Sequence, residues 1–212
     1  MKFVHKDPEK VWSEFQALEQ LTDFQLEQFK RYEAFLSQSN KEFNLTAITE
    51  LTGIVRQHFS DSLALRKFVD LSTIKTIADV GTGAGFPAIP LKIIFPHLSV
   101  ILIEVTTKKR DFLADLIDIL ELKDVQLCAY DWRTFLRTTE YDVDFFVTRA
   151  ALGEQELCRA FKPGCRYKCA TIVYWISAEW ECEPKESVFI KKIESYKLGP
   201  KQRKLAFLGL KV

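Results

Sequence analysis

Three observations predict an α/β fold, a doubly wound and mostly parallel sheet with an N-terminal helical cap. From residue 74 onward, short apolar runs alternate with segments of helical period, the pattern of strands joined by crossover helices. The first of those runs ends in Gly81-Thr82-Gly83-Ala84-Gly85, a strand-to-helix bend with room for a ligand against its backbone. Before residue 70 the period is helical, and neither glycine nor proline separates Glu9 from Thr52.

The elements follow in chain order. Residues 8–70 read as helical, with Val11, Phe15 and Leu18 on one face, then Leu26, Phe29, Tyr32 or Glu33, and Leu36. Ser39-Asn40-Lys41 and Asn44-Leu45-Thr46 predict a break. Ile54, Val55, Phe59, Leu63, Leu65 and Phe68 mark a further amphipathic segment. Ile74–Val80 is the first strand. A helix over Phe86–Phe95 carries Pro87 and Pro90 in its first turn, where a missing N–H is tolerated, and Pro96 ends it. Ser99–Glu104 is continuously apolar before its final acid, which suits a strand buried on both faces. Lys108–Leu122 has Phe112, Leu113, Leu116, Ile117 and Leu120 at helical spacing. Val125–Ala129 and Val143–Val147 are the third and fourth strands, and Leu152–Phe161 is a short helix stopped by Lys162-Pro163-Gly164. Tyr167–Ile176, Val188–Tyr196 and Leu205–Val212 are strands. The last two lack a clear helix between them and predict an antiparallel hairpin at one edge. This divides the chain into a helical extension, 1–70, packed on a Rossmann-like domain, 71–212.

Composition narrows the function. The 212 residues are 47% hydrophobic with 17 Phe, enough for a large core. Net charge is +1, yet positive charge gathers locally. Lys108-Lys109-Arg110 is one cluster; Lys185, Lys191, Lys192, Lys197, Lys201, Arg203, Lys204 and Lys211 form another, with only Glu186 and Glu194 among them. Such patches hold polyanions on a near-neutral chain, and each has solvated surface as its plain alternative. The five cysteines, Cys128, Cys158, Cys165, Cys169 and Cys182, include no C-x-x-C pair. Reduced thiols in a cytoplasmic protein are expected, without disulfides or metal. Met1–Asp7 has no apolar signal region, and no apolar run approaches the ~20 residues that span a bilayer.

In a sheet of this kind the ligand lies at the carboxyl ends of the strands. Gly81, Gly83 and Gly85, with Phe86 after them, follow the first strand. Their G-x-G-x-G spacing points away from a dinucleotide and toward S-adenosylmethionine. Glu104 ends the second strand, about 20 residues on, where an acid accepts hydrogen bonds from ribose hydroxyls. Asp131, Trp132 and Arg133 follow the third; Trp132 is placed to stack on adenine and Asp131 to accept from its amino group. Arg149 ends the fourth, beside the methionine portion or the substrate. Each has a structural alternative: Glu104 as a helix cap, Trp132 as core, Arg149 paired with Asp142 or Asp144. Asp79 is expected to bind loop amides, and His58 to be structural.

Asn44-Leu45-Thr46-Ala47-Ile48, His58-Phe59-Ser60-Asp61-Ser62-Leu63 and Asp79 through Leu91 resemble the ribosomal small-subunit methyltransferase G family, also called glucose-inhibited division protein B. Lys109-Arg110 with Phe112-Leu113, and Thr148-Arg149-Ala150, continue the likeness over roughly residues 25–165. The resemblance implies the class I S-adenosylmethionine-dependent methyltransferase fold and methylation of guanine N7 in 16S ribosomal RNA. On that reading Arg149 and Arg203 are expected to be the catalytic pair that holds the guanine or its phosphates, and the basic clusters offer Lys108, Lys109, Arg110, Arg203 and Lys204 as RNA contacts. The partner is small-subunit RNA or the particle containing it, and the enzyme a monomer whose cap covers the sheet edge. The chain departs from the family pattern at Glu104-Val105, at Asp131-Trp132-Arg133-Thr134 and at Tyr167-Lys168-Cys169-Ala170-Thr171. A small-molecule methyltransferase or nicotinamide enzyme on a similar fold, and a weakly active paralogue that binds RNA or cofactor, are the alternatives.

Overall fold

The computed structural model describes residues 7–149 and 151–210. Of the readings above, those on Met1 to Lys6, Ala150, Lys211 and Val212 lie outside it. Helix α1 (Pro8–Glu19) starts at Asp7, whose side chain accepts the Glu9 N–H, and buries Val11 and Phe15 while Leu18 stays exposed. Helix α2 (Asp23–Phe43) starts with a capping box between Thr22 and Gln25 and ends at Asn44, φ +49°. Phe29, Tyr32 and Leu36 form its buried face. The break expected at Ser39-Asn40-Lys41 does not occur there. Serine and asparagine only mildly disfavour a helix interior, and the left-handed residue at 44 is what ends it.

Residues 51–67 form one continuous helical run of changing pitch: α3 (Leu51–Ile54), a π-helical turn (Val55–Ser60), α4 (Asp61–Leu63) and a 3-10 turn (Ala64–Lys67). The sheet then assembles from β1 (Thr76–Val80), β2 (Ser99–Ile103), β3 (Val125–Cys128), β4 (Phe145–Arg149), β5 (Thr171–Ser177), β6 (Ile190–Leu198) and β7 (Lys201–Leu208). The spatial order is β3-β2-β1-β4-β5-β7-β6. The first five strands are mutually parallel, and β7 runs antiparallel between β5 and β6. The hairpin is therefore where it was expected, although its second strand starts four residues before Leu205. Helices α5 (Ala88–Ile94), α6 (Thr107–Ile119), α7 (Trp132–Thr138) and α8 (Glu154–Leu157) complete the layers. The seven-residue α7 has too few apolar positions to show a period, but Asp131 caps it by accepting the Thr134 N–H.

Strand residues alternate between two apolar layers. Ile77, Val100, Leu102, Val147, Val173 and Phe207 face α1, α2, α5 and α6; Ala78, Ile101, Phe146, Ile172 and Ala206 face the layer built on α7 and α8. The helical cap thus covers a face of the sheet, correcting the expectation that it covers an edge. The edge strand β6 carries Lys191, Lys192, Glu194 and Lys197 instead, charges that discourage further pairing. A chain of rings joins the cap to the glycine bend: Phe15 to Phe29 (5.1 Å), Phe29 to Phe59 (4.9 Å), Phe59 to Tyr32 (5.2 Å) and Tyr32 stacked on Phe86 (5.2 Å). No helix among the described residues is long and apolar enough to cross a membrane.

Candidate active site at the carboxyl ends of the strands

The bend after β1 is fixed from beneath. The N–H groups of Gly81 and Thr82 both donate to the Ile103 carbonyl, at 2.9 and 3.2 Å, so the loop hangs on the end of β2. Gly81 (φ +67°) has no space for a side chain, because a Cβ would lie 2.4 Å from that of Ala151. Gly83 (φ +61°) differs: its nearest neighbour on that side is the Gly81 carbonyl oxygen at 4.0 Å, so its bare backbone faces open space. Gly85 is corrected from ligand contact to packing. It does not line the cleft; a Cβ there would meet Ile89 and the Tyr32 hydroxyl at 2.8 Å, and Tyr32 donates to the Ala84 carbonyl. Asp79 behaves as expected of a loop holder. Its Oδ2 accepts from the Ala88 N–H (3.0 Å) and the Thr82 hydroxyl (2.8 Å), while Oδ1 has no hydrogen-bond partner among the described residues. Burial pushes its pKa to about 7 against those two hydrogen bonds.

Glu104 stands where β2 ends. Its Oε2 accepts the Gly83 N–H at 3.1 Å and its Oε1 the Thr106 N–H at 2.9 Å, with Lys109 Nζ 4.0 Å from Oε2. Each oxygen keeps a second lone pair. A cleft of about 740 Å³ opens over these groups, within the range of small-molecule sites. Gly81, Gly83, Phe86, Glu104, Asp131, Trp132 and Arg149 all line it. Trp132 contributes little open surface. It is 4% exposed, packs on Phe135 and Phe146 and donates from Nε1 to the Glu156 carbonyl at 2.8 Å. An adenine cannot lie flat on a ring so enclosed, so Trp132 is corrected to core. Val105 and Tyr130 instead stand exposed on the cleft wall, at 56% and 45%. Arg133 is corrected too: it lies outside the cleft in a two-pronged pair with Glu156, at 2.7 and 2.8 Å. Arg133 and Arg159 together hold the Glu156 carboxyl down at about 2.

The two expected arginines meet on one carboxylate. Asp61 Oδ2 lies 3.4 Å from Arg149 Nη1 and 3.3 Å from Arg203 Nη2, and Oδ1 accepts the Tyr196 hydroxyl. Arg149 also donates to the Gln57 carbonyl (2.9 Å) and to His58 Nδ1 (3.0 Å), and lies over the Phe86 ring at 5.0 Å. Burial and the adjacent Arg149 hold His58 at about 3, so its ring is neutral. A neutral ring that accepts at Nδ1 carries its proton on Nε2, which faces the Thr46 hydroxyl at 2.7 Å. Asn40 in turn holds the Thr46 backbone through both its amide atoms. His58 is therefore structural, as expected, but it is structural to Arg149.

The expected RNA contacts scatter. Lys109 turns into the cleft. Arg110 is committed to the carbonyls of Glu104 and Val105 and to Thr107, while Lys108 is exposed. Lys204 follows Arg203 on β7, so its side chain leaves the opposite face of the strand; the two cannot share one surface.

With this geometry in view, the comparisons decide the lineage. A family model described as GidB, rRNA small subunit methyltransferase G, matches residues 25–208. The chain belongs to the rRNA small subunit methyltransferase G family. A family relative from Leuconostoc citreum, named ribosomal RNA small subunit methyltransferase G, is 46% identical over 109 residues, covering 50% of this chain and 46% of the relative. One of the same name from Bacillus licheniformis is 40% identical over 130 residues, covering 61% and 54%. The chain spans about half the length of these curated relatives. Among solved structures, M. capricolum TrmK in complex with S-adenosyl-homocysteine superposes with a TM-score of 0.53 at 13% identity, covering 70% of this chain and 66% of that one. That likeness shows a shared fold.

Asp61, Gln57, Thr46, Val105 and Tyr130 line the cleft, and Tyr196 stands on Asp61; sequence reasoning nominated none of them. Thr46 and Asp61 lay inside the segments that carried the family likeness, which was the available signal. Gln57 and His58 sit on the π-helical turn. There the Asp61 N–H reaches back to the Arg56 carbonyl, and such wide turns recur at functional sites.

Proposed function

We propose that this chain is an S-adenosylmethionine-dependent methyltransferase acting on N7 of a guanine in 16S ribosomal RNA. The observation that carries the reading is the buried Glu104 carboxylate held on the Gly83 N–H, beside a glycine face that any side chain would fill. This arrangement fits a nucleoside cofactor: Glu104 accepts from the ribose hydroxyls, Val105 and Tyr130 flank the adenine, and the backbone of Gly81 and Gly83 borders the remainder. When bound, the cofactor supplies an activated methyl group on its sulfonium sulfur.

The guanine N7 lone pair is free at the base edge, so its methylation needs no proton removal. The chain's task is then to orient the base. Arg149 and Arg203 hold the guanine or its phosphates, and Asp61 with His58 fixes their direction. The single carboxylate leaves this pair with net positive charge toward the cleft. His58, neutral with Nδ1 committed to Arg149, is not required as a base. The enzyme acts as a cytoplasmic monomer on the RNA or the assembled particle, with 1–70 as its helical extension and 71–212 as its methyltransferase domain.

The test is transfer of radiolabelled methyl groups to small ribosomal subunits, intact and stripped of protein, from a strain lacking the gene. Chain scission at 7-methylguanine then locates the product, and calorimetric titration measures cofactor affinity. Tight cofactor binding with label at a guanine N7 is expected. Label on another atom, or none with either substrate, overturns the proposal.

A further inference from the structure

We propose that the tip of the β6–β7 hairpin and the π-helical turn beside it form a phosphate clamp, with Arg56 and Lys201 as its contacts, that grips the RNA strand next to the nucleotide being modified. The inference rests on the reading of the substrate as RNA.

The clamp begins at Gly199, in the hairpin turn. Its φ is +59°, and a Cβ there would lie 3.2 Å from Arg56 Cδ, 3.6 Å from Nη1 and 3.8 Å from Nε. The Arg56 side chain therefore runs along the turn, held by packing against bare backbone. Its charge is not neutralised: among the described residues neither Arg56 nor Lys201 has a carboxylate partner, and no hydrogen bond claims the Arg56 donors. Lys201, just past the turn, uses one N–H on Gln57 Oε1 at 3.3 Å and keeps two.

Gln57 links this outer pair to the inner one. Its side chain meets Lys201, and its carbonyl meets Arg149 at 2.9 Å. Arg149, Arg203 and Lys201 line the cleft, and Arg56 lies outside it against the hairpin turn. Asp61 is the carboxylate set among these cations, and both inner arginines already share it. A small cofactor has no need of charge beyond the cleft, which Arg56 does not line. A polynucleotide has, because each nucleotide inserted in the cleft leaves a flanking phosphate outside it. A guanidinium with unclaimed donors on a fixed stem suits two-pronged phosphate contact. On the opposite wall Arg110 already spends donors on the Glu104 and Val105 carbonyls.

The experiment measures affinity of the full chain for protein-free 16S RNA, from a strain lacking the gene, between 50 and 200 mM KCl. Calorimetric titration with S-adenosylmethionine runs in parallel. Arg56→Ala and Lys201→Ala should each lower the slope of log affinity against log salt by about 0.7–0.9, and the double variant by roughly twice that. In Arg56→Ala, which lies outside the cleft, cofactor affinity should stay within about twofold, and Arg56→Lys should restore most of the loss in slope. A double variant that keeps the wild-type slope while binding cofactor overturns the clamp and leaves the proposed function standing. A wild-type chain that binds cofactor but no RNA overturns both.

Discussion

Replacing Asp61 by asparagine removes the charge on which the arginine pair converges while keeping the side chain's volume. The carboxylate is 2% exposed and touches Tyr196, Arg149 and Arg203. Breaking a buried ion pair by deleting one partner costs about 3–5 kcal/mol, because the remaining charge is left uncompensated. Two features place this case at the lower end. The Arg203 side chain is 24% exposed, so water recovers part of its solvation. Arg149, at 13%, keeps the Gln57 carbonyl and His58 Nδ1 as partners. The expected loss is about 3 kcal/mol, or a fall in Tm of roughly 6–12 °C for a chain of this size. Urea unfolding measures the first quantity and calorimetry the second. Tyr196→Phe should cost about 1–2 kcal/mol alone, and less in the Asp61→Asn background, since the two share a hydrogen bond. Methyl transfer to RNA should fall at least tenfold while cofactor affinity holds within about twofold. A stability change under about 1 kcal/mol would refute the argument that this carboxylate holds the two arginines in place.

Glu104→Ala should weaken S-adenosylmethionine binding by about 1.5–3 kcal/mol in calorimetric titration, the range for hydrogen bonds to a charged group; unchanged affinity would remove Glu104 from the site. Tyr130→Ala should weaken the same binding several-fold, whereas Trp132→Phe should lower stability by about 1 kcal/mol or more through the stranded Glu156 carbonyl and leave affinity intact; the reverse pattern would return adenine stacking to Trp132. Acid titration of stability separates two buried groups of opposite sign. His58 sits near 3 when folded against about 6.5 unfolded, so it withdraws stability as pH falls from 6.5 toward 3. Asp79 sits near 7 against about 3.9 unfolded, so its contribution is present at low pH and lost as pH rises through 7. Between pH 4 and 7, His58→Asn should therefore flatten the acid loss and Asp79→Asn should steepen it. Wild-type slopes in both variants would contradict the two shifts.

The parts of the site legible in the sequence are those made by local backbone. A strand that ends in alternating glycines, and an acid closing the next apolar run, specify their own places, and Gly81, Gly83 and Glu104 occupy them. Strand existence was likewise legible, because buried parallel strands are written as uninterrupted apolar runs. What failed depended on context that the local residue pattern does not carry. Trp132 followed the third strand as an adenine platform would, but whether its ring is open depends on Phe135, Phe146 and Glu156. Arg203 and Lys204 read as one basic cluster until the strand sent them to opposite faces. The wide turn at Val55–Ser60 has no period of its own to read. Asp61, amid an amphipathic helix, gave no sign that strands β4 and β7 would both deliver an arginine to it.

The order of the sheet also bears on how the chain is made. Among the described residues β6 pairs only with β7, and β7 brings Arg203 to Asp61. Synthesis runs from the N-terminus, so the glycine bend, Glu104 and Arg149 have emerged while β6 still awaits its neighbour. A chain terminated within β7 would keep the glycine bend with Glu104 and lose Arg203, one of the two arginines that converge on Asp61. Its unpaired β6 and the bared flank of β5 would make such a product a substrate for proteolysis and aggregation.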